Sequence, residues 1–76
     1  MDILILGANG FIGHHLCKHI LETTPWRIFA MDIQFDRLAH LTPHERLTCY
    51  EGDITINREW LEYHIKKCDV VLPLVA

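Results

Sequence analysis

Three glycines near the N-terminus have the spacing of a phosphate-binding loop. Gly7, Gly10 and Gly13 form a G-x-x-G-x-x-G pattern between a short apolar run and an amphipathic segment. The first glycine permits a tight turn, the second lets a pyrophosphate approach the backbone, and the third permits close packing. The N–H groups and the positive dipole end of a following helix would stabilise a bound anion. The pattern predicts a dinucleotide site, although glycines that only shape a turn give the same spacing.

A carboxylate follows the second apolar run at the distance that such a site requires. Asp32 stands 19 residues after Gly13, where it can accept hydrogen bonds from the ribose hydroxyls of an adenosine. It would also repel a 2′-phosphate, and the next three residues carry no positive charge, so NAD is favoured over NADP. Arg37 is near enough in sequence to keep NADP as an alternative. An aspartate that merely ends a strand is the structural alternative.

A second carboxylate follows the third apolar run. Asp53 can receive the amino group of an adenine while Ile54 packs beside the ring. A solvated loop aspartate, or one that caps the next helix, is an equally good interpretation from the residues alone.

The elements that position these residues alternate between strands and helices. The first strand is predicted over residues 3–6 and a helix over 11–22, with Ile12, Leu16 and Ile20 facing the sheet and Cys17 and Leu21 widening that stripe. Further strands are predicted over residues 27–32, 47–50 and 69–76. Residues 36–42 can form a helical turn with Leu38 and Leu41 inward. Thr55 or Asn57 can cap a second helix that ends at Lys66 and Lys67 and buries Trp60, Leu61, Ile65 and Cys68.

This alternation predicts an α/β fold with a Rossmann-type parallel sheet. Right-handed crossovers leave few topologies, and they favour the strand order 3-2-1-4. Residues 1–76 are therefore predicted to be the N-terminal part of a dinucleotide-binding domain, because 76 residues is short for a complete one. A sheet that ends at its fourth strand would leave an apolar edge unpaired, so we expect the isolated chain to self-associate.

Composition excludes several classes of function. Half of the residues are hydrophobic, the net charge is −3, and the seven Lys and Arg are scattered, which argues against a nucleic-acid or anionic-membrane partner. The chain begins without a signal-peptide pattern and has no apolar run of about 18 residues, so a cytoplasmic location is expected. The three cysteines lack C-x-x-C spacing, and His15 and His19 share a helix face without an evident third ligand, so no metal site is predicted.

Beyond these inferences, the chain resembles the extended short-chain dehydrogenases/reductases, the NAD-dependent sugar-nucleotide epimerase/dehydratase family. The resemblance covers the whole chain, most loosely over residues 34–48. It rests on the glycine spacing with Phe11, on Asp32, on Gly52-Asp53-Ile54 and on the segment 72–76. Within the family, segments 4–13, 51–54 and 59–76 are most similar to the UDP-glucuronic acid decarboxylase domains of bifunctional polymyxin-resistance proteins.

The resemblance implies a cofactor and a reaction. Such decarboxylases use NAD to oxidise the C4″ hydroxyl of UDP-glucuronate, and the β-keto acid then loses carbon dioxide. By the same resemblance, Asp32 would bind the ribose, Asp53 and Ile54 the adenine, and segment 72–76 would line the cofactor groove. The residues assigned to the pyrophosphate are Gly7, Gly10, Phe11, Ile12 and Gly13.

No catalytic residue can be assigned within the chain. The family's Tyr-x-x-x-Lys pair, its Ser or Thr and most of the nucleotide-sugar site would lie beyond residue 76, and neither Tyr50 nor Tyr63 has a lysine four residues later. The parent protein is therefore expected to be an oxidoreductase-type enzyme of which this chain is a fragment. A related epimerase or dehydratase, or a non-catalytic dinucleotide-binding module, is the alternative.

Overall fold

The four apolar runs form one parallel sheet. The computed structural model of the protein describes residues 1–75. In chain order, its elements are strand β1 (Asp2–Leu6), helix α1 (Phe11–Thr23), strand β2 (Arg27–Asp32), one turn of 3₁₀ helix (Ala39–Leu41), strand β3 (Leu47–Glu51), helix α2 (Arg58–Lys67) and strand β4 (Val70–Pro73).

The strand order β3-β2-β1-β4 confirms the predicted Rossmann-type α/β topology. Ile3 in the central strand β1 pairs with Ile28 of β2 and Val70 of β4, and Ile28 pairs with Leu47 of β3. Because all the strands are parallel, their carboxyl ends meet at one edge of the sheet. The loops that follow β1, β2 and β3 therefore lie side by side at that edge, which is where open α/β sheets bind ligands.

The two helices cover opposite faces of the sheet, so β1 is buried on both sides and reads as a continuous apolar run. Ile3 and Ile5 belong to one core cluster, and Leu4 and Leu6 belong to the other. Helix α1 contributes Cys17, Ile20 and Leu21 to the first cluster, and α2 contributes Trp60 and Leu61 to the second.

The predicted inward stripe of α1 is wrong at its first position. Ile12 is 69% exposed, whereas Gly13 is buried beneath the glycine loop. The first turn of α1 packs on that loop and not on the sheet. The contact is so close that a Cβ added to Gly13 would lie only 2.6 Å from the carbonyl oxygen of Gly7. The buried stripe therefore begins at Gly13, a residue that carries no hydrophobic signal.

The predicted inward face of α2 is also wrong at one position. Ile65 is 45% exposed, and His64 is buried in its place with 8% of its surface accessible. The His64 ring stacks on Trp60 with centroids 3.9 Å apart and lies 5.1 Å from the ring of Phe29. Its Nδ1 lies 2.9 Å from the carbonyl oxygen of Trp60, so this ring nitrogen has its partner within the helix. His64 therefore acts as a core aromatic residue.

The connection between β2 and β3 packs on the α1 face, as predicted for its two leucines. Leu38 is fully buried, and Leu41 packs against the same cluster. Arg46, which precedes β3, was not singled out by the sequence. Its guanidinium donates hydrogen bonds of 2.6 to 2.9 Å to the carbonyl oxygens of Leu21, Thr24 and Trp26, and so satisfies the C-terminal end of α1 and the turn after it.

The last strand is shorter than the predicted 69–76. After Pro73 the backbone crosses the end of β1, where the Leu74 N–H donates a 2.8 Å hydrogen bond to the carbonyl oxygen of Leu6. Ala76 lies outside the described residues. Within residues 1–75, neither helix has the length and apolar character that crossing a membrane requires.

Candidate functional site

The first glycine of the loop is required by the backbone around it. Gly7 has a φ of 81°, in the left-handed region that disfavours side chains. A Cβ at this position would also lie 2.9 Å from the carbonyl carbon of Leu74 and 2.9 Å from the nitrogen of Val75. The Gly7 N–H donates to the carbonyl oxygen of Met31 at 2.9 Å, which ties the loop to β2. Gly7 therefore allows the chain to turn after β1 and lets residues 74 and 75, which follow β4, pack closely against that turn.

The other two glycines have different environments. Gly13 contacts the loop from behind, as described above, and its role in the structure is close packing. At Gly10 the nearest atom to an added Cβ is the carbonyl oxygen of Gly7, 3.4 Å away, which is ordinary contact. No close contact within the described chain therefore demands glycine at position 10. The exposed backbone there is open to a ligand.

Helix α1 presents an uncapped N-terminus beside Gly10. Gly10 is the N-cap residue, no side chain caps the helix, and its first turn holds no acidic residue. The opening N–H groups of a helix have no partner within the helix, and the dipole adds positive potential there. Phe11 and Ile12 flank this end with 68% and 69% of their surfaces exposed. The arrangement suits a phosphate group.

The carboxylate of Asp32 is fixed at the end of β2. Its Oδ2 accepts a 3.0 Å hydrogen bond from the backbone N–H of Asn9, and its Oδ1 accepts a 2.7 Å bond from the N–H of Ile33. Each oxygen therefore has one fixed donor and further acceptor capacity. Asp32 is thus oriented by the glycine loop itself.

Asp53 is fixed by the residues that follow it. Its Oδ1 accepts hydrogen bonds from the N–H of Thr55 at 2.7 Å and from the Thr55 hydroxyl at 2.6 Å. These two bonds hold the pKa of Asp53 below its usual value. The predicted helix cap is different in detail: Asn57 is the N-cap residue of α2, but its Oδ1 accepts a 2.7 Å bond from the N–H of Asp53. Ile54 packs against the α2-side core.

These residues line one groove of about 520 Å³ along the carboxyl edge of the sheet. Of the predicted cofactor residues, the groove brings together Gly7, Gly10, Asp32, Asp53 and Ile54. Phe11 and Ile12 stand at the start of α1 outside its lining, and Gly13 lies behind the loop. Leu74 and Val75, from the segment expected to line a cofactor groove, complete the wall.

Asn9 is the site residue that the sequence analysis missed. It is 6% exposed, and its side chain joins the glycine loop to the residues after β2. Its Nδ2 donates to Oδ1 of Asp36 at 2.6 Å, while its Oδ1 accepts from the N–H groups of Arg37 at 2.9 Å and Leu38 at 3.1 Å. The only signal in the sequence is an amide side chain between the first two glycines.

Other reactive side chains do not form a second centre. Among residues 1–75, no group of three or more His, Cys, Asp and Glu side chains is placed to hold a metal ion. Burial is the main cause that raises the pKa of Cys17 to about 12, so its thiol is a poor nucleophile. His14 is half-buried beside the loop, with its Nδ1 3.0 Å from the carbonyl oxygen of Gly10, and His15 and His19 are exposed.

Comparison with known proteins covers nearly the whole chain. Residues 3–76 match the model of the NAD dependent epimerase/dehydratase family. Among solved structures, the PbgP3 protein from Burkholderia pseudomallei is similar over 99% of this chain and 25% of that chain, with 69% sequence identity and a TM-score of 0.94.

Two cofactor complexes are also similar over the whole of this chain. The UDP-glucuronic acid 4-epimerase from Bacillus cereus, in complex with UDP-glucuronic acid and NAD, is 28% identical with a TM-score of 0.86, and the match covers 26% of its chain. The dTDP-glucose 4,6-dehydratase from Bacillus anthracis, in complex with NAD, is 27% identical with a TM-score of 0.84 and 27% coverage. The chain thus spans about a quarter of the length of these structures.

Proposed function

Because the chain belongs to the NAD-dependent epimerase/dehydratase family, we propose that it is the NAD-binding portion of an enzyme that modifies a nucleotide sugar. The reaction we propose is the NAD-dependent oxidative decarboxylation of UDP-glucuronate. One observation carries the cofactor assignment. A single groove contains the glycine loop, the Asp32 carboxylate and the Asp53 carboxylate, in the order in which an extended dinucleotide presents its pyrophosphate, ribose and adenine.

The residues of the groove fit this cofactor. The uncapped start of α1 can hold the pyrophosphate at Gly10, where no internal contact opposes close approach. Asp32 retains lone pairs for two ribose hydroxyls, because its fixed bonds engage each oxygen once. Asp53 can accept the adenine amino group, and Ile54 offers an apolar side chain to the ring. When bound, NAD supplies the hydride acceptor for oxidation of a sugar hydroxyl.

Within this portion the chain's residues bind and orient the cofactor but carry out no proton transfer. The Asn9 and Ile33 amides hold Asp32 in place before the ligand arrives, which lowers the ordering cost of binding. The Thr55 bonds do the same for Asp53 and favour its ionised form, in which both carboxylate oxygens act only as acceptors.

The decarboxylase assignment rests on resemblance in segments 4–13, 51–54 and 59–76. The chain is 69% identical to the PbgP3 protein from Burkholderia pseudomallei, so the two are expected to share one reaction. An epimerase or a dehydratase is the alternative within the family, supported by the lower identity of 28% and 27% to two such enzymes. These three activities differ in product mass, so one assay separates them.

The first experiment measures NAD and NADP binding to the complete protein that carries this chain. Calorimetry should find NAD binding that Asp32→Ala weakens at least tenfold, since two charge-assisted hydrogen bonds are lost. NADP should bind poorly. Glu22→Ala, in the last turn of α1 and remote from the groove, is the matched control and should bind NAD as the wild type does. Absence of binding to either dinucleotide would refute the cofactor assignment.

The second experiment incubates the same protein with NAD and UDP-glucuronate, and in parallel with other UDP- and dTDP-sugars, and separates the products by liquid chromatography before mass spectrometry. Loss of carbon dioxide with formation of NADH supports the decarboxylase. An isomer of unchanged mass would indicate an epimerase, and loss of water a dehydratase. Binding of NAD with no turnover of any nucleotide sugar would favour a non-catalytic dinucleotide-binding module.

A further inference from the structure

A polar recess adjoins the groove at the end of β2. It has a volume of about 240 Å³ and shares Gly10, Asp32 and Ile33 with the groove. Asn9, Gln34, Asp36 and Arg37 contribute the rest of its polar lining. Since Asp32 is proposed to bind the ribose hydroxyls, a group attached to one of those hydroxyls would enter this recess.

Asn9 connects the two carboxylates of the recess. Its backbone N–H donates to Asp32, and its side-chain Nδ2 donates to Asp36. The same side chain accepts the N–H groups of Arg37 and Leu38, so the turn that carries Asp36 is held at two further points. Asn9 itself is 6% exposed, so its side chain is held in one place by the surrounding chain, whereas Asp36 is exposed to solvent. Asp36 is thus fixed relative to Asp32 by a single residue.

The charges of the recess favour an unmodified ribose. The hydrogen bond from Asn9 is the main cause that keeps the pKa of Asp36 below its usual value, and the Asp36 and Arg37 backbone amides and the Arg37 charge act in the same direction. The recess therefore contains two carboxylates and one guanidinium. A 2′-phosphate brings up to two more negative charges and meets a net negative environment despite the presence of Arg37.

We propose that Asn9 is a positioning residue that holds Asp36 beside Asp32, and that both carboxylates together exclude a dinucleotide with a 2′-phosphate. This inference rests on the proposed dinucleotide-binding function. It adds Asn9 and Asp36 to the residues that determine the preference for NAD over NADP. Arg37 alone would favour NADP, but Asp36 offsets its charge. Asn9 makes that offset effective by keeping Asp36 in the recess.

The test measures the ratio of the NADP and NAD dissociation constants in the complete protein by calorimetry. Asp36→Asn keeps the size of the side chain and an oxygen that can accept from Asn9, but removes one charge. The ratio should fall several-fold, the order of the Coulomb effect of one carboxylate on a doubly charged phosphate within about one Debye length. The affinity for NAD itself should change by less than about twofold, because NAD carries an uncharged 2′-hydroxyl where NADP carries the phosphate. Glu22→Gln, the same loss of charge at a remote surface site, should leave the ratio unchanged.

A double-mutant cycle tests the positioning role of Asn9. If Asn9 holds Asp36 in place, Asp36→Asn should alter the ratio much less in an Asn9→Ala background than in the wild type. A purely structural role of Asn9 would lower stability and NAD affinity but would leave the effect of Asp36→Asn intact. That outcome overturns the positioning role. Should Asn9→Ala fail to fold, Asp36→Asn alone still decides the contribution of Asp36.

The remaining outcomes separate this inference from the proposed function. NAD binding to the wild type with an unchanged ratio in Asp36→Asn overturns the role of Asp36 and leaves the cofactor assignment standing. A wild-type protein that binds neither dinucleotide overturns both.

Discussion

Gly7 and Gly10 belong to one loop, but the same substitution should affect them in different ways. At Gly7 an alanine would adopt left-handed backbone, which costs about 1 to 2 kcal/mol. Its Cβ would also press on the backbone of Leu74 and Val75 at 2.9 Å, which no side-chain rotation can relieve. Overpacking of this kind costs about 1 to 3 kcal/mol. We therefore expect Gly7→Ala to lower the free energy of unfolding by about 2 to 5 kcal/mol.

At Gly10 the same change should have little effect on stability. Gly10 has φ −66° and ψ 171°, which alanine adopts readily, and its nearest Cβ contact is an ordinary 3.4 Å. Alanine is a poorer N-cap than glycine by roughly 0.5 to 1 kcal/mol, and it offsets this by reducing the entropy of the unfolded chain, an effect of about 0.4 to 1 kcal/mol. Gly10→Ala should therefore unfold within about 0.5 kcal/mol of the wild type. Its NAD affinity should nevertheless fall, because the methyl group would occupy the surface proposed for the pyrophosphate.

Both variants should be made in the complete protein and compared by urea unfolding and by NAD calorimetry. A midpoint shift at constant m-value reports the stability change. The reasoning is refuted if Gly7→Ala unfolds like the wild type, because the positive φ and the Leu74 contact would then impose no cost. NAD affinity that Gly10→Ala leaves unchanged would refute close approach of the cofactor at that residue.

Four further results are expected. Arg46→Ala should destabilise the protein by about 2 to 3 kcal/mol in urea unfolding, because three carbonyl oxygens lose their charged donor; an unchanged midpoint would contradict this. Cys17 should be the last cysteine alkylated by iodoacetamide at pH 8, since its pKa is raised to about 12, as peptide mass spectrometry can establish. Because the pKa of Asp53 is lowered in the folded protein, its ionised form stabilises the fold at pH values above the ordinary carboxyl pKa. This stabilisation is lost as the pH falls through the pKa that Asp53 has in the folded state. Thr55→Val should therefore move acid unfolding to higher pH, whereas Thr55→Ser should not. The isolated 76-residue chain should self-associate through the open edge of β4, and a monomer in light scattering at micromolar concentration would disprove this.

The sequence predicted the fold well because β1, β2 and β4 are largely apolar runs, while β3 is marked by the Glu51-Gly52-Asp53 segment at its end. Burial of β1 on both faces requires such a run, and the glycine loop after it fixes where the first helix begins. The errors fall on residues whose burial depends on partners distant in sequence. Ile12 is exposed because α1 packs first on the loop through Gly13, and His64 replaces Ile65 in the core because aromatic neighbours and a carbonyl oxygen accommodate its ring.

The site was predictable to a similar extent. Asp32 and Asp53 could be located because parallel strands bring their carboxyl ends to one edge, so residues at the end of a strand or just after it face the same groove. The bonds that hold them could not be predicted from spacing. Asn9 lies 27 residues from Asp36, and the contact exists only because the loop after β1 and the loop after β2 meet at that edge.

Under the proposed function, the choice of cofactor and the choice of substrate depend on different parts of the protein. The groove and the recess are built from the loops after β1, β2 and β3 and from the segment after β4, all within residues 1–75. Under the proposed function, these elements contact the adenosine and pyrophosphate of NAD, while the chain spans only about a quarter of the similar solved structures. Changes at Asn9, Asp32 or Asp36 should therefore alter the preference between NAD and NADP without altering which nucleotide sugar is accepted. A shift in sugar preference caused by these substitutions would mean that the recess contributes to the substrate site as well.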